Sequence, residues 1–197
     1  MVTDAERTFW LQRWTALAAV GDAELGPLAA RLVGHDLVRG EHFLRFGETA
    51  ERVGVIIGGV LREAFVRADG TERTRNFAVE GDLAGSLSDL LRGGPARTRV
   101  VAEEDARVLC VPWSLVQQAL ERSVSMRALL HGVTERLYLL KSEREYELLA
   151  LDAEQRYRAF QARYPGLEAR VTQRHVASYL GITPEHLSRL RTRARRP

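Results

Sequence analysis

Seven arginines, Arg170, Arg174, Arg189, Arg191, Arg193, Arg195 and Arg196, crowd residues 170–197, where Glu185 is the only acid. That segment carries +6 in a chain whose net charge is +3, so the remainder sums to −3. Guanidinium groups at this density neutralise phosphates. An Arg can also bond O6 and N7 of a guanine, and a Glu can accept from N4 of a cytosine. Hydroxyl and amide side chains, Thr172, Gln173, Thr183 and Ser188, are interleaved with the charges, and such groups bond phosphate oxygens. The chemistry on offer is recognition of a polyanion.

Other chemistries find little footing. The one cysteine, Cys110, lies in the apolar run Val108-Leu109-Cys110-Val111 and reads as a buried core thiol. A single Cys excludes an intramolecular disulfide and a cysteine-ligated cluster. The five histidines, His35, His42, His131, His175 and His186, lack metal-ligand spacing. We therefore assign no catalytic residue, no metal ligand and no cofactor, and expect the chain not to be an enzyme. No apolar run reaches the ~18 residues of a membrane span. The polar start Met1-Val2-Thr3-Asp4-Ala5-Glu6 has no signal-peptide character. A cytoplasmic protein without a membrane partner is expected.

The charged residues need a scaffold, and residues 171–191, VTQRHVASYLGITPEHLSRLR, supply its pattern. Val176, Leu180, Ile182, Leu187 and Leu190 recur at helical spacing on either side of Gly181. A glycine permits the left-handed conformation that ends a helix. Thr183 can cap the next helix, and Pro184 fits its first turn because that N–H has no intrahelical partner. Thr172 offers a cap for the first helix. The pattern is a helix-turn-helix. With Leu187 and Leu190 buried, its second helix presents Glu185, His186, Ser188, Arg189, Thr192 and Arg193, while Thr172, Gln173, Arg174 and Thr183 sit at helix starts, facing phosphates.

Upstream, residues 4–33 read as helix, with Phe9, Trp10, Trp14, Leu17 and Ala18 in a stripe and, after a break at Gly21-Asp22, Leu25, Leu28, Ala29 and Leu32 in another. From 37 to 111 the texture changes. Short apolar runs, Val53–Ile57, Val60–Val66, Val100–Ala102 and Val108–Val111, alternate with glycines, which predicts a small antiparallel barrel or sandwich. A short helix over 113–120 and a long one over 124–150 follow, then another over 151–164. Leu130, Val133, Leu137 and Leu140 stripe the long helix as a coiled-coil seam would.

Barrel, long helix and helix-turn-helix, in this order, resemble the Crp/Fnr transcription regulators. The resemblance covers nearly the whole chain and rests on Arg39-Gly40-Glu41, Phe46-Gly47-Glu48, Ile57-Gly58-Gly59-Val60-Leu61-Arg62, Asp69-Gly70-Thr71-Glu72, Glu80-Gly81-Asp82-Leu83 and the closing motif. It implies an α+β fold: a cyclic-nucleotide-binding-like antiparallel β-barrel of jelly-roll type (1–123), a dimerisation helix (124–150) and a winged-helix-like helix-turn-helix domain (151–197). It implies a homodimer, seamed by Leu130, Val133, Leu137 and Leu140, on two-fold double-stranded DNA, with RNA polymerase a further partner. In the family's reading helix Arg-Glu-x-x-x-Arg, Glu185 and Arg189 match and Pro184 replaces the first Arg. In its ligand cassette a Gly-Glu-Leu step holds ribose and an Arg ten positions on holds phosphate. Here the step is Gly85-Ser86-Leu87, the tenth position is Ala96, and Arg97-Thr98 stands one position late. The expectation is a regulator whose small-molecule effector is unknown and is not cyclic AMP. A cyclic-nucleotide-gated regulator using Arg97 and Thr98 is the alternative. A small-molecule-binding barrel protein and a cupin-type enzyme rank below both.

Overall fold

The computed structural model describes residues 1–16 and 20–194. Leu17 and Ala18 of the N-terminal stripe, and Arg195 and Arg196 of the basic run, lie outside the described residues. The helical stretch predicted over 4–33 comprises α1 (Asp4–Thr15) and α2 (Asp22–Ala29), the second starting at the predicted Gly21-Asp22 break, and a strand begins at Val33. Thr3 and Glu6 form a capping box at the start of α1, each satisfying a backbone N–H that the helix leaves unpaired.

Eight strands follow: β1 (Val33–Leu37), β2 (His42–Leu44), β3 (Arg52–Gly58), β4 (Leu61–Val66), β5 (Glu72–Ala78), β6 (Leu83–Ala84), β7 (Thr98–Ala102) and β8 (Ala106–Pro112), with α3 (Leu87–Arg92) between β6 and β7. They form two antiparallel four-stranded sheets, β1-β8-β3-β6 and β2-β7-β4-β5. Leu37, Phe43, Ile56, Leu61, Val100 and Val108 fill the space between them. Cys110 joins that core, and burial pushes its thiol up to about 12, which suits an inert packing residue. At Gly59 φ is +93°, and a Cβ would fall 2.5 Å from the Asp105 carbonyl oxygen. Only glycine permits that tight β3–β4 corner.

The helical part comprises α4 (Trp113–Arg122), α5 (Val124–Ala150), α6 (Ala153–Arg163), a 3-10 turn at Leu167–Ala169, α7 (Gln173–Leu180) and α8 (Pro184–Ala194). None of the described helices is long and apolar enough to cross a membrane. The stripe on α5 divides along its length. Leu130, Val133 and Leu137 pack on the chain's own core with α1, α2, α4 and β8, which differs from the seam predicted for them. Leu140 is exposed, in company with Tyr138, Leu139, Tyr146, Leu148 and Leu149. One helix thus serves its own barrel with its first half and leaves an apolar surface open along its second.

The C-terminal helices do not stand apart from the barrel. Val60 and Phe77 of the barrel share one apolar cluster with Tyr157, Phe160, Tyr164, Tyr179 and Leu187. Phe77 stands 5.8 to 6.3 Å, centroid to centroid, from Phe160, Tyr164 and Tyr179, spacing at which aromatic rings attract.

Candidate nucleic-acid interface

Helix α7 ends at Gly181, whose φ of +70° and ψ of +30° are left-handed. The Ile182 N–H reaches back to the Ala177 carbonyl at 3.0 Å, which closes the helix end and turns the chain. Thr183 then accepts from the His186 N–H at 3.2 Å, as its predicted capping role requires. Thr172 occupies the cap position of α7 but makes no side-chain cap bond, and its hydroxyl is buried without a partner. Leu187 and Leu190 are buried, so α8 turns its other face outward.

That outward face holds Glu185, Ser188, Arg189, Thr192 and Arg193, all exposed, with Gln173, Arg174 and Thr183 exposed beside it and His186 and Thr172 half-buried. Glu185 lies below the usual carboxylate range, through backbone hydrogen bonding at the helix start, the Thr183 hydroxyl and the Arg189 charge. It is therefore an acceptor at neutral pH. Every predicted DNA-facing residue except Thr172 and His186 is exposed on this one end of the molecule.

The charge count misled at Arg170. Its guanidinium donates to Glu80 at 3.1 Å and to Glu104 at 2.5 and 3.0 Å. It ties the helical domain to two barrel loops and is not free for phosphate. The hydrogen bonds with Arg170 hold Glu80 down at about 2. Sequence reading also missed the role of His175, whose Nδ1 lies 2.7 Å from Oε2 of buried Glu103, while Glu103 accepts from Arg62 at 2.6 Å. Further ties are the Thr74 N–H to the Ser178 hydroxyl at 3.0 Å and the Tyr164 hydroxyl to Asn76 at 2.7 Å. These contacts join residues far apart in sequence, and no local pattern announces them.

The predicted effector residues converge only in part. Gly85 takes φ +117° and leads into α3. Ser86 is buried, with its hydroxyl 3.2 Å from that of Ser88. Leu87 packs instead against the apolar core of α1, α4 and α5. The Arg97 side chain is exposed. Its backbone N–H donates to Asp89 at 3.2 Å, and the buried Thr98 hydroxyl donates to the same carboxylate at 2.5 Å. Arg92 adds an ion pair at 3.1 Å. Asp89 is buried, which opposes its charge, yet hydrogen bonds from Thr98, the Arg97 N–H and Ser86, with the Arg92 charge, hold it below the usual range. The chain's own Asp89 carboxylate thus takes up the Thr98 hydroxyl and the Arg97 N–H.

Residues 35–123 match the family model of the cyclic nucleotide-binding domain. Among solved structures, FixK2 from Bradyrhizobium japonicum is 24% identical, with 82% of this chain and 83% of that one covered at a TM-score of 0.71. A regulator of the Crp/Fnr family from Eubacterium rectale is 16% identical, covering 87% and 82% at a TM-score of 0.70. The c-di-GMP-responsive global regulator CLP from Xanthomonas campestris is 15% identical, covering 88% and 91% at 0.68. The chain shares the fold of these structures, and residues 35–123 form a domain of the cyclic nucleotide-binding kind. No curated protein matches it. Of the residues predicted to face an effector, Gly85, Ser86 and Thr98 hold places in the fold, while the side chain of Arg97 is exposed. The residue that sequence reading missed there is Asp89, an ordinary acid on a six-residue helix with no motif to mark it.

Proposed function

We propose that this chain is a sequence-specific DNA-binding transcription regulator that acts as a homodimer on a two-fold site and does not use cyclic AMP as effector. The observation that carries the reading is the α8 face. It is exposed, basic, begun by a capped turn and backed by buried Leu187 and Leu190. The N-terminal turn of such a helix enters the major groove, with Glu185 and Arg189 at base edges and Gln173, Arg174 and Thr183 at phosphates. The open apolar surface of α5, around Leu139, Leu140 and Tyr146, fits a second copy of the chain. Two reading helices would then address half-sites about 34 Å apart.

Asp89 supports the effector clause. A ligand phosphate entering there would have to displace a carboxylate already bonded to Thr98, the Arg97 N–H and Arg92, and two anions side by side would repel. The test is selection from randomised duplex DNA, followed by anisotropy titrations at several salt concentrations. A two-fold motif whose affinity falls steeply with salt is expected. Absence of any enriched motif would overturn the reading. Calorimetry with cyclic AMP addresses the second clause, for which no heat is expected.

A further inference from the structure

Three carboxylates of the barrel face the start of α7. Glu80 stands in the turn between β5 and β6, and Glu103 and Glu104 in the turn between β7 and β8. Their partners are Arg170, two positions before the Thr172 cap, and His175, in the first turn of the helix. Gln173 and Arg174, both predicted to face phosphates, lie between these two in the chain. The group of Arg170, Glu80 and Glu104 sums to −1, a sign that repels a DNA backbone.

The two ties differ in permanence. Glu103 is buried and also accepts from Arg62. Stripping a partner from a buried carboxylate is costly, so the His175 contact stays. The side chains of Arg170, Glu80 and Glu104 are 34%, 40% and 32% exposed. Ion pairs this open to water contribute little, so their partners can exchange. Glu80 keeps its place without Arg170, because it also accepts from the Gly59 N–H at 3.0 Å. A guanidinium offers a phosphate the same two-pronged donor geometry that it offers a carboxylate. Arg170 can therefore change partners while His175 with Glu103, Ser178 with Thr74 and Tyr164 with Asn76 keep the helix-turn-helix docked. Only one side chain has to move.

We infer that Arg170 is a phosphate-binding residue held in reserve, masked by Glu80 and Glu104, so that the barrel restrains the grip of the helix-turn-helix on the DNA backbone. Two fixed carboxylates outcompete one phosphate for the guanidinium, and removing them releases it. The restraint acts on all duplexes alike, because backbone contacts carry no sequence information. It rests on the DNA-binding reading and adds an autoinhibitory contact to it.

The test measures binding of the full chain to a random-sequence duplex over a series of salt concentrations. Each phosphate neutralised adds about 0.9 to the slope of log K against log salt. Parent and Arg170→Gln are expected to share one slope, since the masked guanidinium contributes nothing to it. The double variant Glu80→Gln/Glu104→Gln is expected to bind several-fold tighter, with a slope steeper by about one. Adding Arg170→Gln to the double variant should return the slope to that of the parent. Should the double variant not fold, Glu104→Gln alone is expected to steepen the slope part of the way. An unmoved slope in the acid variants, a slope flattened by Arg170→Gln in the parent, or a steepening that survives the loss of Arg170 would overturn the proposal. A parent with no affinity for any duplex overturns the DNA reading and this proposal together. A parent that binds while the acid variants leave its slope unmoved overturns the proposal alone.

Discussion

Arg170 and Arg189 carry the same guanidinium into opposite roles, and their surroundings decide which. Arg170 faces Glu80 and Glu104 across the domain junction; Arg189 faces solvent. Glu80 titrates at about 2 in place of its ordinary 4.5. A carboxyl so depressed favours the docked state above the ordinary value and loses that contribution as pH falls toward about 2. NMR titration should find Glu80 near 2 in the parent and back toward 4.5 in Arg170→Gln; an unmoved value would mean that another group sets it. Arg189→Ala should cost about 1–3 kcal/mol on the selected site and relax specificity at one base pair, read by competition binding. If it discriminates sites as well as the parent, the base-reading role of Arg189 is wrong. A tally of charges along the sequence sees all seven arginines alike. Only the fold shows that Arg170 is spent on two barrel loops.

At the scale of elements, the turn and the long helix make contrasting cases. Gly181 was legible because capping, proline placement and hydrophobic period all agree over a few residues, and local rules govern all three. Its added Cβ would meet only Leu148 at 3.6 Å, an ordinary contact. The cost of Gly181→Ala is therefore conformational, about 1–2 kcal/mol, measurable by denaturant unfolding. A change under a few tenths would show that the turn relaxes. The bounds of α5 were legible too, but the partner of its stripe was not. Periodicity says that a face is apolar and not what covers it. Val133 and Leu140 separate the two uses of the helix. Leu140→Glu should shift the sedimentation of the protein toward monomer and leave the stability of the protomer within about 0.5 kcal/mol. Val133→Ala should destabilise the protomer by roughly 1–3 kcal/mol with the assembly state unchanged. The reverse pattern would return the seam to the predicted face. Short elements such as β2, β6 and α3 escaped because a few residues hold too little periodicity to register.

Across the whole molecule, the helix-turn-helix end and the barrel share a core. Phe77 of β5 sits among Phe160, Tyr164 and Tyr179, and Glu147, Arg144 and Arg163 bind Tyr179 to the long helix. Barrel and helix-turn-helix should therefore unfold in one transition. Phe77→Ala, at about 3–5 kcal/mol, should lower that transition or split it, and scanning calorimetry distinguishes these from a parent that already melts in two steps. The order of domains was legible from texture alone. Their docking was not, since it depends on pairs such as Thr74 with Ser178, drawn from segments that have no local reason to meet. The side chains aimed outward from α8 take no part in this shared core, because Leu187 and Leu190 do its packing. Changes at Glu185, Ser188 or Arg189 leave the architecture within about 0.5 kcal/mol of where it began. On the proposed DNA-reading role, a lineage could rewrite which sites it answers to, letter by letter, without ever passing through an unfolded ancestor.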